Sequence, residues 1–266
     1  MARFKLDSRG VRMVGVLALA LVAPWASAQT TVTSSTHLVN TDTGLVLPKG
    51  VWEATLDGRF FGEKESNGYG GIRGYYGLGN DLGISLKGAF GGRKTFTGNG
   101  FAVRYGGTDI EAQLRYQIRN IPALSIAAGV ALPDTPAQDK AFFTAAVNYG
   151  LRYEELGIFV GARGQYRDGN SLTALTLGAE YAFNPEWSVL GDVAFVVDGE
   201  NSFSSANARR QKTTTFGAAV RYTPAGSRNM SYLLGLTNAI GSTTGFSNSA
   251  SFSGATGLFV GFNFKG

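Results

Sequence analysis

The chain has 266 residues, with 24 lysines and arginines against 19 aspartates and glutamates, and it contains no cysteine. The lack of cysteine excludes a disulfide framework and a thiolate metal site, so burial or a closed hydrogen-bond network must stabilise the protein. Glycine is abundant at 38 residues and aromatic residues make up 12% of the chain, a composition typical of pleated strands joined by tight turns.

The first 28 residues have the three parts of a secretory signal peptide. Four basic side chains precede the apolar stretch "MVGVLALALVAPW" (13–25), and Ala26-Ser27-Ala28 follows it. The stretch is shorter than the roughly 20 residues of a membrane-spanning helix, so we predict export and cleavage after Ala28. Removing this leader leaves 20 basic residues against 18 acidic ones. The positive charge therefore lies mainly in the leader, and we predict no nucleic-acid partner.

The next segment, residues 29–48, holds His37, the one histidine of the chain. A nucleophilic serine needs a base within hydrogen-bond reach, and Ser34, Ser35 and Asp42 lie nearby in the sequence. Such residues are common in polar loops, and His37 precedes the first predicted strand, where it is badly placed for a strand-borne catalytic pair. We therefore predict that the protein is not an enzyme.

From residue 49 onward apolar residues return at every second position, which is the period of a β-strand. In "FTAAVNYGLRYEELGIFVGARGQY" (143–166), "EE" forms a turn, and Arg152 and Arg163 lie on the faces opposite the apolar ones. The same pattern predicts twelve strands: 50–61, 68–77, 81–91, 108–118, 122–132, 142–153, 156–166, 171–183, 187–197, 212–223, 230–240 and 255–265. Counts of ten or fourteen remain possible, because the strands at 68–77 and 230–240 are weakly marked.

The connections between these strands alternate in length. Short turns are expected at 78–81, 119–122, 154–155, 184–186 and 224–229. Most of the others are longer: 62–67, 92–107, 133–141, 167–170, 198–211 and 241–254. Short turns at one end and long loops at the other, with an even number of strands, are typical of a transmembrane β-barrel with periplasmic turns and extracellular loops.

Aromatic residues cluster at the strand ends next to the short turns. They are Trp52, Tyr76, Tyr116, Tyr153, Phe183, Trp187, Tyr222 and Phe264. Transmembrane barrels carry aromatic girdles at their interfaces, whereas a soluble sandwich or a lipocalin-like barrel would concentrate bulky side chains in mid-strand. We predict an all-β fold: a single antiparallel transmembrane barrel over residues 49–266, in contact with outer-membrane lipids. Residues 29–48 are expected to stay in the periplasm or to enter the lumen.

The last stretch, "LFVGFNFKG" (258–266), resembles the final strand of bacterial outer-membrane β-barrel proteins. Leu258, Val260, Phe262 and Phe264 match its alternating apolar residues and terminal aromatic, although Lys265 and Gly266 follow here. The resemblance to porin-like channels implies residence in the bacterial outer membrane and recognition by the barrel-insertion machinery. It indicates an architecture and no particular subfamily.

Charged side chains of both signs fall on the faces predicted to point inward. We predict that they line a pore: Glu53, Asp57, Arg59, Arg73, Lys87, Glu111, Arg115, Arg152, Arg163, Glu180, Asp192 and Arg221. Such charges either line a water-filled path or pair across the barrel and seal it, and twelve strands lie between filled and open barrels. Inward glycines such as Gly83, Gly150 and Gly217 leave room and favour a pore.

We therefore predict a narrow channel for small polar or charged solutes. The rival hypothesis is a sealed structural or adhesion barrel that displays loops 92–107, 198–211 and 241–254. An outer-membrane hydrolase is the third.

Other motifs give no sign of chemistry. The carboxylate pairs, such as Glu53 with Asp57, lie among predicted luminal arginines and are interpreted as salt-bridged wall. "GYGGIRGYYGLG" (68–79) is not a dinucleotide fingerprint. "NARRQK" (207–212) is interpreted as a solvated basic loop. With no cluster of metal ligands in the sequence, we predict no metal and no cofactor.

Overall fold

The computed structural model describes residues 35–62, 68–98, 101–119, 121, 124–135, 140–166, 171–204, 209–227, 229–251 and 254–266. The predicted signal peptide, residues 1–28, and its cleavage site lie outside these residues. Twelve strands close into one barrel, in which neighbours along the chain pair and the last strand pairs with the first. The predicted all-β barrel and its strand count are confirmed.

The strands are numbered in chain order. They are β1 (Trp52–Phe61), β2 (Gly68–Gly79), β3 (Leu82–Gly98), β4 (Phe101–Gln117), β5 (Leu124–Asp134), β6 (Phe142–Tyr153), β7 (Leu156–Tyr166), β8 (Leu172–Ala182), β9 (Trp187–Asp198), β10 (Ser202–Phe203), β11 (Arg210–Gln211), β12 (Thr215–Tyr222), β13 (Met230–Thr237) and β14 (Gly257–Lys265). The short strands β10 and β11 pair with each other outside the barrel sheet, and one helix, α1, spans Thr244–Asn248.

The predicted loop 92–107 is wrong, because most of it is strand. β3 and β4 remain paired from Lys94 opposite Tyr105 to Gly98 opposite Phe101, after a register shift between Gly91 and Lys94. Threonine, valine and aromatic residues dominate this part of both strands, and such residues favour extended backbone. The register shift breaks the period-two pattern, which hid the extension from the sequence reading.

The outer wall of the barrel is apolar. Along β1 the side chains alternate between buried and exposed, and Leu56 and Phe60 point outward. Leu86, Leu132 and Leu234 on other strands are more than half exposed. So large an apolar surface would promote aggregation in water, whereas the hydrocarbon core of a membrane accommodates it. Barrel closure pairs the strand edges, as the hydrocarbon layer requires.

The turns are built from residues that tolerate left-handed backbone. Asn80 and Asp81 between β2 and β3 have φ of 53° and 63°, and Glu154 between β6 and β7 has φ of 41°. These short turns lie at the barrel end where the chain enters β1. Among the described residues, no helix has the length and apolarity to span a membrane.

Candidate functional site: the filled lumen

The twelve charged residues predicted to line the pore all lie on inward-facing positions of the wall. Eleven are buried and Arg152 is half-buried: Glu53, Asp57, Arg59, Arg73, Lys87, Glu111, Arg115, Arg152, Arg163, Glu180, Asp192 and Arg221. Apart from Arg152, they are shielded from open water, because two other parts of the chain occupy much of the space that the barrel encloses.

The first of these parts is residues 35–48, here called the luminal hairpin. Its backbone folds back on itself through hydrogen bonds from the Leu38 amide to the Thr41 carbonyl (2.8 Å) and from the Thr43 amide to the Thr36 carbonyl (2.9 Å). Val39 and Asn40 lie at its tip. His37, Leu38 and Val39 have no solvent exposure at all. Residues 35–44 thus lie within the lumen, whereas Pro48 is exposed.

The base of the hairpin is fixed to β1. Glu53 accepts hydrogen bonds from the Ser35 hydroxyl (2.7 Å) and the Thr36 amide (2.9 Å). The Asn263 side chain on the neighbouring β14 also donates to Glu53. A carboxylate with three donors is well solvated by protein, so this buried charge needs no water.

The tip of the hairpin is held by Asp192 on β9. One carboxylate oxygen accepts hydrogen bonds from the Asn40 amide (2.6 Å) and the Thr41 amide (3.0 Å). The other oxygen accepts one from the Asn40 side chain (2.9 Å). Asp192 therefore satisfies two backbone donors that would otherwise be buried without partners.

Three wall arginines bind the acceptor groups of the same tip. Arg163 donates to the Asn40 carbonyl (2.7 Å), and Arg59 donates to the Asn40 side-chain oxygen (2.8 Å). Arg73 donates to the Val39 carbonyl (3.2 Å). Wall charges of both signs thus hold a neutral part of the hairpin through its donors and its acceptors.

Asp42 brings a charge of its own into the lumen. It accepts hydrogen bonds from the Tyr75 hydroxyl (2.7 Å) and from Lys87 (2.9 Å), and it forms an ion pair with Arg115. Cations of β3 and β4 thus hold the returning arm of the hairpin.

Small wall residues make room for the apolar tip. Leu38 and Val39 pack with Phe159, Leu190, Leu233 and Phe259 in one buried cluster. A side-chain carbon added at Gly217 would lie 2.5 Å from Val39. The expectation that inward glycines leave an open pore therefore fails at this level of the barrel, because the chain's own hairpin fills the space beside Gly217.

The second part that fills the lumen is residues 238–251, which follow β13 and are here called the inner loop. The Ser242 hydroxyl donates to Asp57 (2.6 Å), and the Thr244 amide donates to Glu111 (2.7 Å). Phe246 of α1 packs edge-on against Tyr69 on the wall. The rival hypothesis displayed loop 241–254 outward, whereas the described residues 241–251 turn into the lumen and their polar groups satisfy wall carboxylates.

Arg163 joins the two lumen-filling parts. Besides the Asn40 carbonyl of the hairpin, its guanidinium reaches the Asn248 side chain and the Ser247 carbonyl (3.1 Å) of the inner loop. Arg152, the other arginine of the stretch 143–166, behaves differently. The Arg152 guanidinium lies 5.1 Å from the centre of the Phe159 ring and contacts neither lumen-filling part through any hydrogen bond described here.

His37 has no catalytic geometry. Its Nδ1 donates to the Leu38 carbonyl (2.7 Å), so its Nε2 accepts from the Thr55 hydroxyl (2.5 Å) in the neutral tautomer that these partners imply. Burial, with the nearby charge of Arg73, lowers the pKa of His37 to about 3, against the opposing effect of Glu53. The ring is closed off from solvent.

The aromatic residues predicted for the membrane interface lie outside, next to the short turns. Trp52, Tyr76, Tyr116, Tyr153, Phe183 and Trp187 are exposed, and Tyr222 and Phe264 are half-exposed. Trp187 and Tyr222 have ring centres 4.6 Å apart. Tyr232 stacks beside Tyr222, and its ring centre lies 5.6 Å from that of Phe262. This row has the geometry of an interfacial girdle.

The remaining motifs assemble no further site. Asp57 pairs with Arg59 at 3.1 Å instead of converging with Glu53, and residues 68–79 form β2. Residues 207 and 208 of the basic loop lie outside the described residues, while Arg210 lies over the Phe203 ring. Within the described ranges, no three His, Asp or Glu side chains are arranged around a possible metal position.

The sequence analysis missed Asn40, Asp42 and the polar residues of the inner loop. A signal for the first two was present. "HLVNTDTG" places turn-forming Asn40, Asp42 and Gly44 next to Leu38 and Val39, as in a short hairpin. No comparable signal marks Ser242 or Thr244, because hydroxyl residues are ordinary in loops.

Two solved structures show the same architecture. A NanC porin aligns with a TM-score of 0.54 at 10% identity, covering 79% of this chain and 98% of that chain. An outer-membrane channel from Pseudomonas putida F1 aligns with a TM-score of 0.53 at 15% identity, covering 83% and 97%. No family model matches the sequence, and no curated protein does. These likenesses concern the fold: the chain forms the same kind of closed β-barrel as these two proteins, and its apolar outer wall is of the kind that a membrane accommodates.

Proposed function

We propose that the protein is an outer-membrane channel for small polar or charged solutes, and that the luminal hairpin is its removable plug. The observation that carries this proposal is the way in which the hairpin tip is held. Asp192, Arg59, Arg73 and Arg163 bind it through hydrogen bonds from a charged wall. Water and solutes offer the same hydrogen bonds, so the wall remains solvated when the tip leaves.

The chemistry of the wall supports a channel over a permanent seal. Charges buried in a permanently closed space are a poor source of stability, because replacing them by well-packed apolar residues is often neutral or stabilising. A wall of arginines and carboxylates is favourable when water fills the lumen for part of the time, because water then solvates these charges. Charges of both signs then offer binding partners along the path to solutes of either sign.

The barrel does not need the hairpin for closure. β1 pairs with β14 from Glu53 opposite Lys265 to Phe61 opposite Gly257, and the hairpin adds no strand to this sheet. Its departure therefore leaves the membrane-facing sheet and its backbone hydrogen bonds in place. The two similar structures are those of a porin and an outer-membrane channel, in keeping with this function.

The membrane-facing features complete the proposal. The aromatic row that includes Trp52, Trp187 and Tyr222 would anchor the barrel among outer-membrane lipids at the periplasmic interface. The final strand, in which Phe264 is the last aromatic residue, would be recognised by the barrel-insertion machinery. No reaction is assigned to the protein, since the one histidine is buried and tied to backbone and Thr55.

Single-channel conductance in a planar bilayer tests the channel. We expect brief or rare steps from the intact protein, and frequent larger steps after deletion of residues 35–47. Arg163→Gln should change the ion preference of these steps. Arg119→Gln is the matched control, since Arg119 lies on an exposed turn and pairs only with Asp81 among the contacts described. Correctly inserted barrels that show no steps with or without the hairpin would overturn the proposal.

A sealed structural barrel is the second candidate, and one observation favours it. Arg163 links the hairpin to the inner loop, so the lumen is filled by two parts that support each other. Under this alternative, deletion of residues 35–47 still gives no conductance because the inner loop keeps the barrel closed. The same bilayer experiment therefore separates the two functions.

A further inference from the structure

A cleft opens at the turn end of the lumen, beside the base of the luminal hairpin. Its lining includes Ser35 of the hairpin, Arg221 and Thr223 at the end of β12, Ser231 on β13, and Lys265 on β14. The lining is polar and basic, unlike the apolar cluster deeper in the lumen around Leu38.

Arg221 enters this cleft with hydrogen-bonding capacity to spare. Its Nη1 binds Glu180, which also accepts a hydrogen bond from Ser188 (3.0 Å). Its Nε and Nη2 have no hydrogen-bond partner among the described residues. Water does not supply one either, because the residue is only 3% exposed. A buried cationic donor without an acceptor is unfavourable, so these two groups are the ones that a ligand would satisfy.

The charges around Arg221 favour an anion. Arg152 and Lys265 both lie within electrostatic range of Arg221, and Nη2 of Arg152 also lacks a hydrogen-bond partner. Of the two nearby carboxylates, Glu53 is already satisfied by Ser35, Thr36 and Asn263. Glu180 pairs with Arg221. Three cations against two carboxylates leave the cleft positive.

We propose that this cleft binds a small oxyanion, a phosphate or a carboxylate, on the free edge of Arg221. The Nε and Nη2 groups of a guanidinium form a planar fork that matches two oxygens of such an anion. The hydroxyls of Thr223 and Ser231 supply further donors from the cleft wall, and Arg152 with Lys265 supplies the surrounding positive field. Binding itself requires no conduction; only the site's role as an anion station of the pore rests on the proposed channel.

Calorimetric titration tests the site on the intact protein, refolded into maltoside micelles that carry no phosphate. Inorganic phosphate is the first probe, and acetate is the second, at constant ionic strength. We expect saturable binding of at least one of them with a dissociation constant in the millimolar range or below. Arg221→Gln should weaken that binding at least tenfold, because it removes the charged fork.

Two further variants make the test independent of folding defects. Glu180→Gln should tighten anion binding several-fold, since it removes a carboxylate that repels the anion and weakens the hold on Nη1 of Arg221. A merely structural ion pair would not give this gain. Arg119→Gln removes one positive charge at the same end of the barrel but outside the lumen, and it should leave the dissociation constant unchanged.

No saturable binding of either anion up to tens of millimolar would overturn the proposal, as would equal affinity in wild type and Arg221→Gln. Equal losses in Arg221→Gln and Arg119→Gln would also overturn it, because the effect would then be one of net charge. Since calorimetry does not depend on an open pore, binding without conductance would refute the channel and keep the site. Conductance without anion binding would refute the site and keep the channel.

Discussion

Replacing Asp192 by asparagine should release the tip of the luminal hairpin and leave the barrel closed. The carboxylate accepts hydrogen bonds from the amides of Asn40 and Thr41 and from the Asn40 side chain. A hydrogen bond to a charged group contributes about 1.5–3 kcal/mol, so losing the charge-assisted bonds to two backbone donors should weaken docking by about 3 kcal/mol. That is a shift of roughly 150-fold in the docking equilibrium.

The chain contains no cysteine, so a single Val39→Cys substitution reports on docking without interference. Val39 is fully buried in the docked hairpin, and its thiol should react with a maleimide only when the tip leaves the wall. We expect labelling to be about two orders of magnitude faster with Asp192→Asn, at an unchanged unfolding temperature of the barrel. Asp198→Asn, an exposed site on the same strand, should have no effect. Equal labelling rates in the Asp192 and Asp198 variants would refute the assigned role.

Three other predictions use the same thiol reporter. Arg163→Gln removes hydrogen bonds to the hairpin and the inner loop, so labelling should rise by about tenfold or more; an unchanged rate would show that Arg163 does not join them. Gly217→Val should displace the tip through overpacking of about 1–3 kcal/mol, whereas Gly70→Val, which meets open space, should not; equal effects would contradict the packing argument. The pKa of docked His37, about 3, lies below that of the free ring, about 6.5, so docking is fully stable above pH 6.5 and weakens as the pH falls. Labelling, measured relative to an exposed Asn184→Cys, should therefore be faster at pH 5 than at pH 7.5, and a flat profile would count against protonation of His37 on release.

The barrel was predictable from the sequence because its determinants are local. Alternation along β1, with Leu56 and Phe60 outward and Glu53 and Asp57 inward, follows from the period of a strand and does not depend on what fills the lumen. The same parity placed Arg152 and Arg163 inward. The largest error in a strand limit came where the alternation broke, at the register shift between Gly91 and Lys94, whereas β12 starts and β13 ends three residues inside the predicted limits.

The contents of the lumen were not predictable in this way. Inward parity says that Asp192 faces the inside, but it does not distinguish water from Asn40 as its partner, and these two residues are 152 positions apart. The role of Gly217 was ambiguous for a different reason. A small inward residue is expected both beside an open path and beside a tightly packed hairpin, and only the position of Val39 decides between them.

The distance in sequence between the hairpin and some of its partners limits how early the tip can be fully docked. The Asn40 side chain accepts a hydrogen bond from Thr237 on β13, 197 residues later, as well as donating to Asp192 on β9. The hairpin thus has partners at both ends of the sequence: Glu53 and Arg59 lie on β1, and Asp192 and Thr237 lie on strands that follow much later. We therefore expect the tip to reach its full set of hydrogen bonds only after these late strands have joined the barrel. Protection of a thiol at position 39 should accordingly not precede the arrival of β13, and a mutation that weakens docking should delay it further.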